Sequence, residues 1–333
     1  MPAAIVAGLG SWLPPRTVTN EELTHRLATT DEWIRSRIGV ATRHMIDPGT
    51  ATSDLAVEAA RRALRSAGVP GAGAVLLATT TPDRPCPATA PEIASRLGLG
   101  TVPAFDLAAV CTGFVYGLAV GAGLIASGLV ESLLVIGADT YSTILDPEDR
   151  TSSVIFGDGA GAVLLRAGDS EEPGALGPFD LGSHGELADL ITVRGGGSRQ
   201  RSSPAPADPG DQYFRMEGRA VFANAVARMA ASSQSALKSA GLQTSDVDRV
   251  VAHQANARIL DAVATELRVD RDRFVSNIAR VGNTSAASIP LALDHGLRDG
   301  ELRAGHRVLL TAFGGGLTWG STSLTWPEIA LAD

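Results

Sequence analysis

Only two cysteines, Cys86 and Cys111, occur in 333 residues. Two thiols build no disulfide framework, and no CxxC-type spacing offers a metal site. Aromatic residues are only 5% of the chain, against 37 glycines. Small residues packing helices closely on sheets therefore suit it better than a core of large rings. No run of Lys/Arg is present and the formal net charge is −8, which argues against a nucleic-acid partner. The start, "MPAAIVAGLGSWLPP", lacks the basic opening and long apolar stretch of a secretory signal. A reducing cytoplasm is the expected location.

One long uncharged run stands out. Residues 107–130 carry no charge over 24 positions, enough to cross a bilayer. Its flanks, Asp106 and Glu131, are acidic where membrane flanks are usually basic. Gly113, Gly117, Gly121, Gly123 and Gly128 interrupt it. It reads instead as a buried strand, "AFDLAAV", followed by a helix, so no membrane span is expected.

Elsewhere, apolar runs at "AAIVAGLG", "GAVLLATTT", "SLLVIGAD" and "GAVLLRAG" alternate with helical patterns such as "SDLAVEAARRALRSAG" and "APEIASRLGL". That alternation predicts a layered α/β fold. The pattern then repeats. "ALRSAG" at 63–68 returns as "ALKSAG" at 236–241, 173 residues on, each followed by a strand. "FGDGAGAVLL" at 156–165 and "FGGGLTWGSTSL" at 313–324 both read as strand, glycine turn, strand. Two duplicated halves, 1–172 and 173–333, are predicted, with equivalent corners meeting at a shared centre. The Gly/Ser/Pro-rich stretch 194–212 is expected to be a mobile surface loop, serving either as a bare linker or as a lid.

Three residues stand out for chemistry. Cys111 sits between a predicted strand and a predicted helix, where the positive helix end favours a thiolate. A small buried hydrophobe is the competing explanation. His253 in "VVAHQANARIL" and Asn283 in "RVGNTSAAS" occupy what also read as strand-to-helix corners, the usual place for ligands in such folds. A core imidazole and a simple turn former are their bland alternatives. The glycines of "FGGGLTWGS" suit either a tight hairpin or a close approach of backbone to ligand. "FGDGAGA" and "GLGSWL" lack the spacing of a nucleotide-binding fingerprint, which disfavours a nicotinamide enzyme.

The segments "DLAAVCTGF", "IFGDGAGAV", "AHQANARI", "GNTSAAS", "AFGGGLTWGS" and "TTDEWIRSRIGVATRH" resemble the motifs of the β-ketoacyl-acyl-carrier-protein synthase III family, in order along nearly the whole chain. The resemblance implies the thiolase fold: five αβαβα layers, two duplicated halves and a homodimer. It implies that Cys111 takes an acyl group from coenzyme A, with the N–H groups of Cys111 and Gly315 as oxyanion hole. His253 and Asn283 would then stabilise the enolate left when a malonyl thioester on acyl carrier protein loses CO₂. Acyl-CoA is a substrate, and no metal, flavin or nicotinamide cofactor is implied. Trp33 would stack on the adenine, Arg150 would pack on its other side, and Arg37 would meet the phosphates. Asn256 and Arg258 would line the entrance.

Two departures from the family pattern carry expectations. The position of an acyl-pocket gate, a phenylalanine in acetyl-preferring relatives, holds Cys86 here, so a longer, branched or aromatic starter is expected. Lysines that commonly flank the entrance are replaced by Ala223, Thr265 and Glu266, leaving Arg215, Arg219, Arg258 and Arg268 to attract an acidic carrier. The leading expectation is a decarboxylating condensing enzyme of fatty-acid or polyketide initiation. The alternative is an acyltransferase passing the group from Cys111 to a hydroxyl or another thiol. A thiolase is disfavoured because a second catalytic cysteine is missing near "FGGGLTWGS". A hydroxymethylglutaryl-CoA synthase-like enzyme lacks a recognisable catalytic acid. A non-catalytic binding protein is disfavoured because Cys111, His253 and Asn283 are all present.

Overall fold

The computed structural model describes residues 1–332. The first half supplies strands β1 (Ala3–Trp12), β2 (Thr17–Thr19), β3 (Thr42–His44), β4 (Val75–Ala78), β5 (Ala104–Leu107), β6 (Ser132–Asp139) and β7 (Gly159–Gly168). Its helices are α1 (Asn20–Thr24), α2 (Asp31–Arg37), α3 (Thr52–Ser66), α4 (Ala90–Arg96) and α5 (Gly113–Ala126). The second half supplies β8 (Asp180–Ser183), β9 (Ile191–Thr192), β10 (Arg215–Met216), β11 (Arg249–Ala252), β12 (Arg307–Gly314) and β13 (Thr318–Thr325). Its helices are α6 (Ser198–Arg201), α7 (Gly218–Ser239), α8 (Ala257–Leu267), α9 (Ile278–Val281) and α10 (Ser288–Arg298).

Two large sheets form, ordered β1-β7-β6-β4-β5 and β11-β12-β13-β8, beside two-stranded pairs β2–β3 and β9–β10. Their pairings correspond. The β4–β6 pair is parallel and β6–β7 antiparallel, as β11–β12 is parallel and β12–β13 antiparallel. Even the edge strand β5 has a remnant counterpart, a single parallel bridge from Val250 to Phe274.

The layers follow from which faces are apolar. In α3, Leu55, Ala56, Ala59, Ala60 and Ala63 fall at helical spacing and are buried against the outer face of the first sheet. Helices α7 and α8 cover the outer face of the second. Between the sheets lie α5 and α10, apolar on the sides that meet both, with Phe114, Val115, Ile289 and Leu293 in one cluster with Val135 and Leu310. The order is α, β, α, β, α.

The uncharged run thus starts on the last residue of the four-residue strand β5, turns a corner and continues into a 14-residue helix. Among the described residues no helix is long and apolar enough to cross a membrane.

Two sequence expectations need correction. Residues 156–165 are not strand–turn–strand: β7 starts only at Gly159, and its antiparallel partners are β6 and β1. The 313–324 stretch is the hairpin expected, β12 turning directly into β13. The halves differ because residues 140–158 are inserted between the paired strands of the first. The 194–212 stretch is also not bare loop, since it holds α6 and a 3₁₀ turn at Pro209–Gln212.

Candidate active site

The duplication sets the site. A 3₁₀ turn, Val110–Thr112, opens α5, and another, Ser285–Ala287, opens α10. Both turns begin on a non-glycine residue with left-handed backbone, Val110 at φ 48° and Ser285 at φ 51°. Val110 and Ser285 are 175 positions apart, as are the first residues of α5 and α10. The two turns touch at the centre of the molecule. Cys111 lies in the first turn. Asn283 lies just before the second, preceded by the short helix α9, so it is not at a strand end as the sequence suggested. His253 follows β11 directly and precedes α8.

All three residues line one cavity of about 600 Å³. Cys111 is 8% exposed, His253 2% and Asn283 5%. Each polar side chain has one end fixed and the other free for the cavity. Asn283 Oδ1 accepts from the Ser285 N–H at 2.9 Å, which leaves its Nδ2 as a donor. His253 Nδ1 is 2.6 Å from Ser288 Oγ. Ser288 Oγ also accepts from the Gln254 N–H at 3.4 Å and keeps its own proton available to donate to Nδ1. With that donation the imidazole carries its proton on Nε2. Burial lowers the His253 pKa to about 3, so the ring is neutral and donates without adding a cation.

Cys111 differs from expectation. Burial pushes its thiol up to about 12; a hydrogen bond to Ser285 opposes the rise, and the Asp139 charge adds to it. Desolvation of the anion thus opposes the pull of the α5 N-terminus towards a thiolate.

The inserted segment 140–158 forms one wall. Asp158 anchors it by accepting from the Ser142 and Ile46 N–H groups at 2.8 and 2.9 Å. Buried Arg43 donates to the Val154 carbonyl at 2.9 Å. The segment presents Tyr141, Ile155 and Phe156 to the cavity. Tyr141 stacks on Phe156 at 4.3 Å between centroids and meets Phe214 edge-on at 5.3 Å. The Tyr141 hydroxyl is buried and finds no hydrogen-bond partner among the described residues. An orphaned buried hydroxyl costs about 1–3 kcal/mol. Tyr141→Phe keeps the stack and removes that penalty, so thermal denaturation should show a higher midpoint than the parent. An unchanged or lower midpoint would mean that the hydroxyl is satisfied in solution.

The expected coenzyme residues divide. Trp33, Arg37, Asn256 and Arg258 line the cavity, with Trp33 41% exposed at its mouth. Arg150 does not line it; its Nη1 donates to the Ala28 carbonyl at 2.9 Å. Gly315 lies in the β12–β13 turn, where an added Cβ would come within 3.2 Å of Val110. Its neighbour Gly314 is what packs on the Cys111 backbone: a Cβ there would lie 2.9 Å from the Cys111 nitrogen. Cys86 is exposed on the 79–89 loop and lies outside the lining of the cavity. Ala223, Thr265 and Glu266 are exposed, as are Arg215, Arg219, Arg258 and Arg268. Lys238 is the chain's single lysine, so arginines carry nearly all of its fixed positive charge.

Sequence reasoning missed Tyr141, Ser285, Ser288 and Asp139. Asp139 carried a signal, since it closes the otherwise apolar run "SLLVIGAD". The two serines lie within five residues of Asn283, but nothing local marks which side chain they meet.

Two family models match this chain. Residues 105–185 match 3-oxoacyl-[acyl-carrier-protein] synthase III, and residues 237–326 match the C-terminal part of the same family. The chain is 60% identical to β-ketoacyl-[acyl-carrier-protein] synthase III 3 of Streptomyces coelicolor, covering 98% of each. It is 54% identical to β-ketoacyl-[acyl-carrier-protein] synthase III of Pseudomonas aeruginosa, again covering 98% of each. The crystal structure of a 3-oxoacyl-(acyl carrier protein) synthase III from Pseudomonas aeruginosa superposes with a TM-score of 0.92 at 53% identity, over 98% of this chain and 99% of that one. The priming β-ketosynthase of a polyketide biosynthetic pathway superposes with a TM-score of 0.91 at 33% identity, over 98% and 97%.

Proposed function

Because this chain belongs to the 3-oxoacyl-[acyl-carrier-protein] synthase III family, we propose that it joins an acyl group from coenzyme A to a malonyl thioester on acyl carrier protein, through an acyl-Cys111 intermediate. The observation that carries this reading is the convergence of three side chains on one cavity. A sulfur nucleophile faces it together with two neutral donors, His253 Nε2 and Asn283 Nδ2.

In the first half-reaction Cys111 Sγ attacks the acyl-CoA thioester carbon. The tetrahedral oxyanion collapses, the carbon–sulfur bond to coenzyme A breaks, and free coenzyme A leaves with a proton. Backbone N–H groups at Cys111 and Gly315 serve the oxyanion. Trp33, Arg37, Asn256 and Arg258 receive the coenzyme at the mouth, with Arg150 outside them.

In the second half-reaction the malonyl thioester loses its carboxylate as CO₂. The electron pair of the broken bond moves into the thioester carbonyl, and His253 and Asn283 donate to that oxygen. The resulting carbanion attacks the acyl-Cys111 carbonyl. Collapse expels the Cys111 sulfur and leaves a 3-oxoacyl carrier product. No step calls on a metal or redox cofactor.

The protein is proposed to act as a homodimer, with the Cys86 loop of each protomer closing the other's acyl pocket. With cysteine in place of a large ring, the pocket admits a longer, branched or aromatic starter. Cys86→Phe should then cut kcat/KM for a medium-chain acyl-CoA relative to acetyl-CoA by about 10-fold or more, since each methylene excluded is worth about 1–3 kcal/mol. An unchanged ratio across an acyl-CoA panel would remove Cys86 from the gate.

The loading step is tested by incubating the protein with that panel and weighing the intact chain. One acyl adduct per chain is expected, absent from Cys111→Ala. Absence of any adduct on the parent would contradict the reading.

A further inference from the structure

A second cavity lies at the seam between the two halves. Its volume is about 470 Å³, within the range of small-molecule sites, and it shares no lining residue with the first. Trp12, His44 and Arg62 reach it from the first half. Asn277, Arg280 and one side of α10 reach it from the second.

One group there is unexplained by the fold. Asn277 is 4% exposed, and its Oδ1 has no hydrogen-bond partner among the described residues. An asparagine just before a helix usually accepts from the first turn, but Asn277 makes no such bond to α9. The residue is also anchored in place, since its backbone N–H donates to Gln254 Oε1 at 3.2 Å. A buried acceptor left without a donor is costly, and Asn277 lines a cavity from which a ligand's donor can satisfy it.

The charges beside it select the ligand's sign. Among the described residues Arg62 makes no ion pair. Its Nη1 donates to the Ser11 carbonyl at 3.1 Å, its guanidinium lies 4.7 Å from the centre of the Trp12 ring, and its buried Nε has no partner. Arg280 stands 3.7 Å from Asp299, with its side chain 69% exposed. The one carboxylate lining the cavity, Asp294, is already engaged by Arg298 Nε at 2.7 Å. Arg62 and Arg280 are thus left to face an anion. His44 Nδ1 lies 2.6 Å from the Pro14 carbonyl, which can only accept, so Nε2 is the ring nitrogen left over.

The fold does not demand these groups. Helix α5 matches α10 at 175 positions earlier, and in the places of Asp294, His295 and Arg298 it carries Ala119, Val120 and Gly123.

We propose that this cavity is a binding site for a small phosphate monoester bearing hydroxyl groups, a phosphorylated polyol or sugar. Such a monoester carries about −1.5 to −2 charge at pH 7, which matches two arginines. Arg62 and Arg280 meet the phosphate, and a ligand hydroxyl donates to Asn277 Oδ1. The site is independent of the acyl-Cys111 reaction.

The test is isothermal titration of the whole protein with glycerol phosphate and with ribose phosphate, each with and without saturating coenzyme A. Glycerol and inorganic phosphate serve as the separate halves of the ligand. At least one ester should bind at one molecule per chain, more tightly than either half, and coenzyme A should leave it bound. Arg280→Ala, at an exposed side chain, should weaken binding by about 10-fold, the loss of one charge-assisted contact. Asn277→Leu should weaken it at least as much and raise the thermal midpoint of the unliganded protein, because the unpaired amide is gone. A lowered midpoint with binding retained would make Asn277 merely structural and overturn the site. Failure of both esters to bind, or displacement of the bound ester by coenzyme A, would overturn it too. Loss of Cys111 loading would leave these results untouched, so the two readings fail separately.

Discussion

Replacing His253 or Asn283 by alanine is expected to leave Cys111 loading nearly intact and to slow CO₂ release from malonyl carrier by about 10²- to 10³-fold each. The asymmetry follows from geometry. Neither side chain hydrogen-bonds the sulfur, whose polar contact is Ser285. Both instead hold their second polar group elsewhere, His253 on Ser288 and Asn283 on the Ser285 N–H, and keep one donor for the cavity. The two donors serve one oxygen, so the double variant should lose less than the product of the single losses. Rapid-quench mass spectrometry reads the first step and trapped CO₂ the second. If either variant lost loading as severely as condensation, that residue would belong to cysteine activation instead.

Gly137→Ala should cost about 3 kcal/mol or more of stability, the upper range for overpacking a filled core. Gly137 lies on β6 directly beneath the Ser285–Ala287 turn. An added Cβ would collide with the Ala286 carbonyl oxygen and lie 2.8 Å from its carbon. Backbone cannot swing aside as a side chain can, so the turn carrying Ser285 must move. Gly123→Ala is the contrast. Gly123 lies inside the last turn of α5 and a Cβ there meets nothing within 4 Å. Removing a helix-interior glycine should stabilise by about 0.5–1 kcal/mol. Chemical denaturation of both variants should therefore move in opposite directions. A Gly137→Ala midpoint equal to the parent's would show that the centre of the molecule is looser than its packing indicates.

The layered fold was legible because its signals are local. Apolar runs bounded by turns gave β1, β4, β6 and β7, and the helical spacing of Leu55, Ala59 and Ala63 gave α3. The repeat "ALRSAG"/"ALKSAG" marks the ends of α3 and α7, which cover opposite outer faces. The 140–158 insertion was hidden because its glycines mimic a hairpin turn, although β7 pairs with a strand far back in the chain. Cys111, His253 and Asn283 were legible as corner residues with chemical side chains. Their charge states were not, because burial is set by the whole fold. A helix N-terminus near Cys111 suggests a thiolate, yet desolvation in the assembled centre pushes the thiol up to about 12. Ser285, Ser288 and Asp139 matter through which atoms they touch, and that is tertiary information.

The central claim, acyl transfer through Cys111 into a decarboxylating condensation, is tested most directly by single-turnover stoichiometry. The acyl-loaded protein, freed of coenzyme A, is mixed with malonyl carrier. Acyl-Cys111 should disappear as one CO₂ and one 3-oxoacyl carrier form per adduct consumed. Disappearance of the adduct with no CO₂, the acyl group reappearing on a hydroxyl or carrier thiol, would contradict condensation and identify a simple acyltransferase.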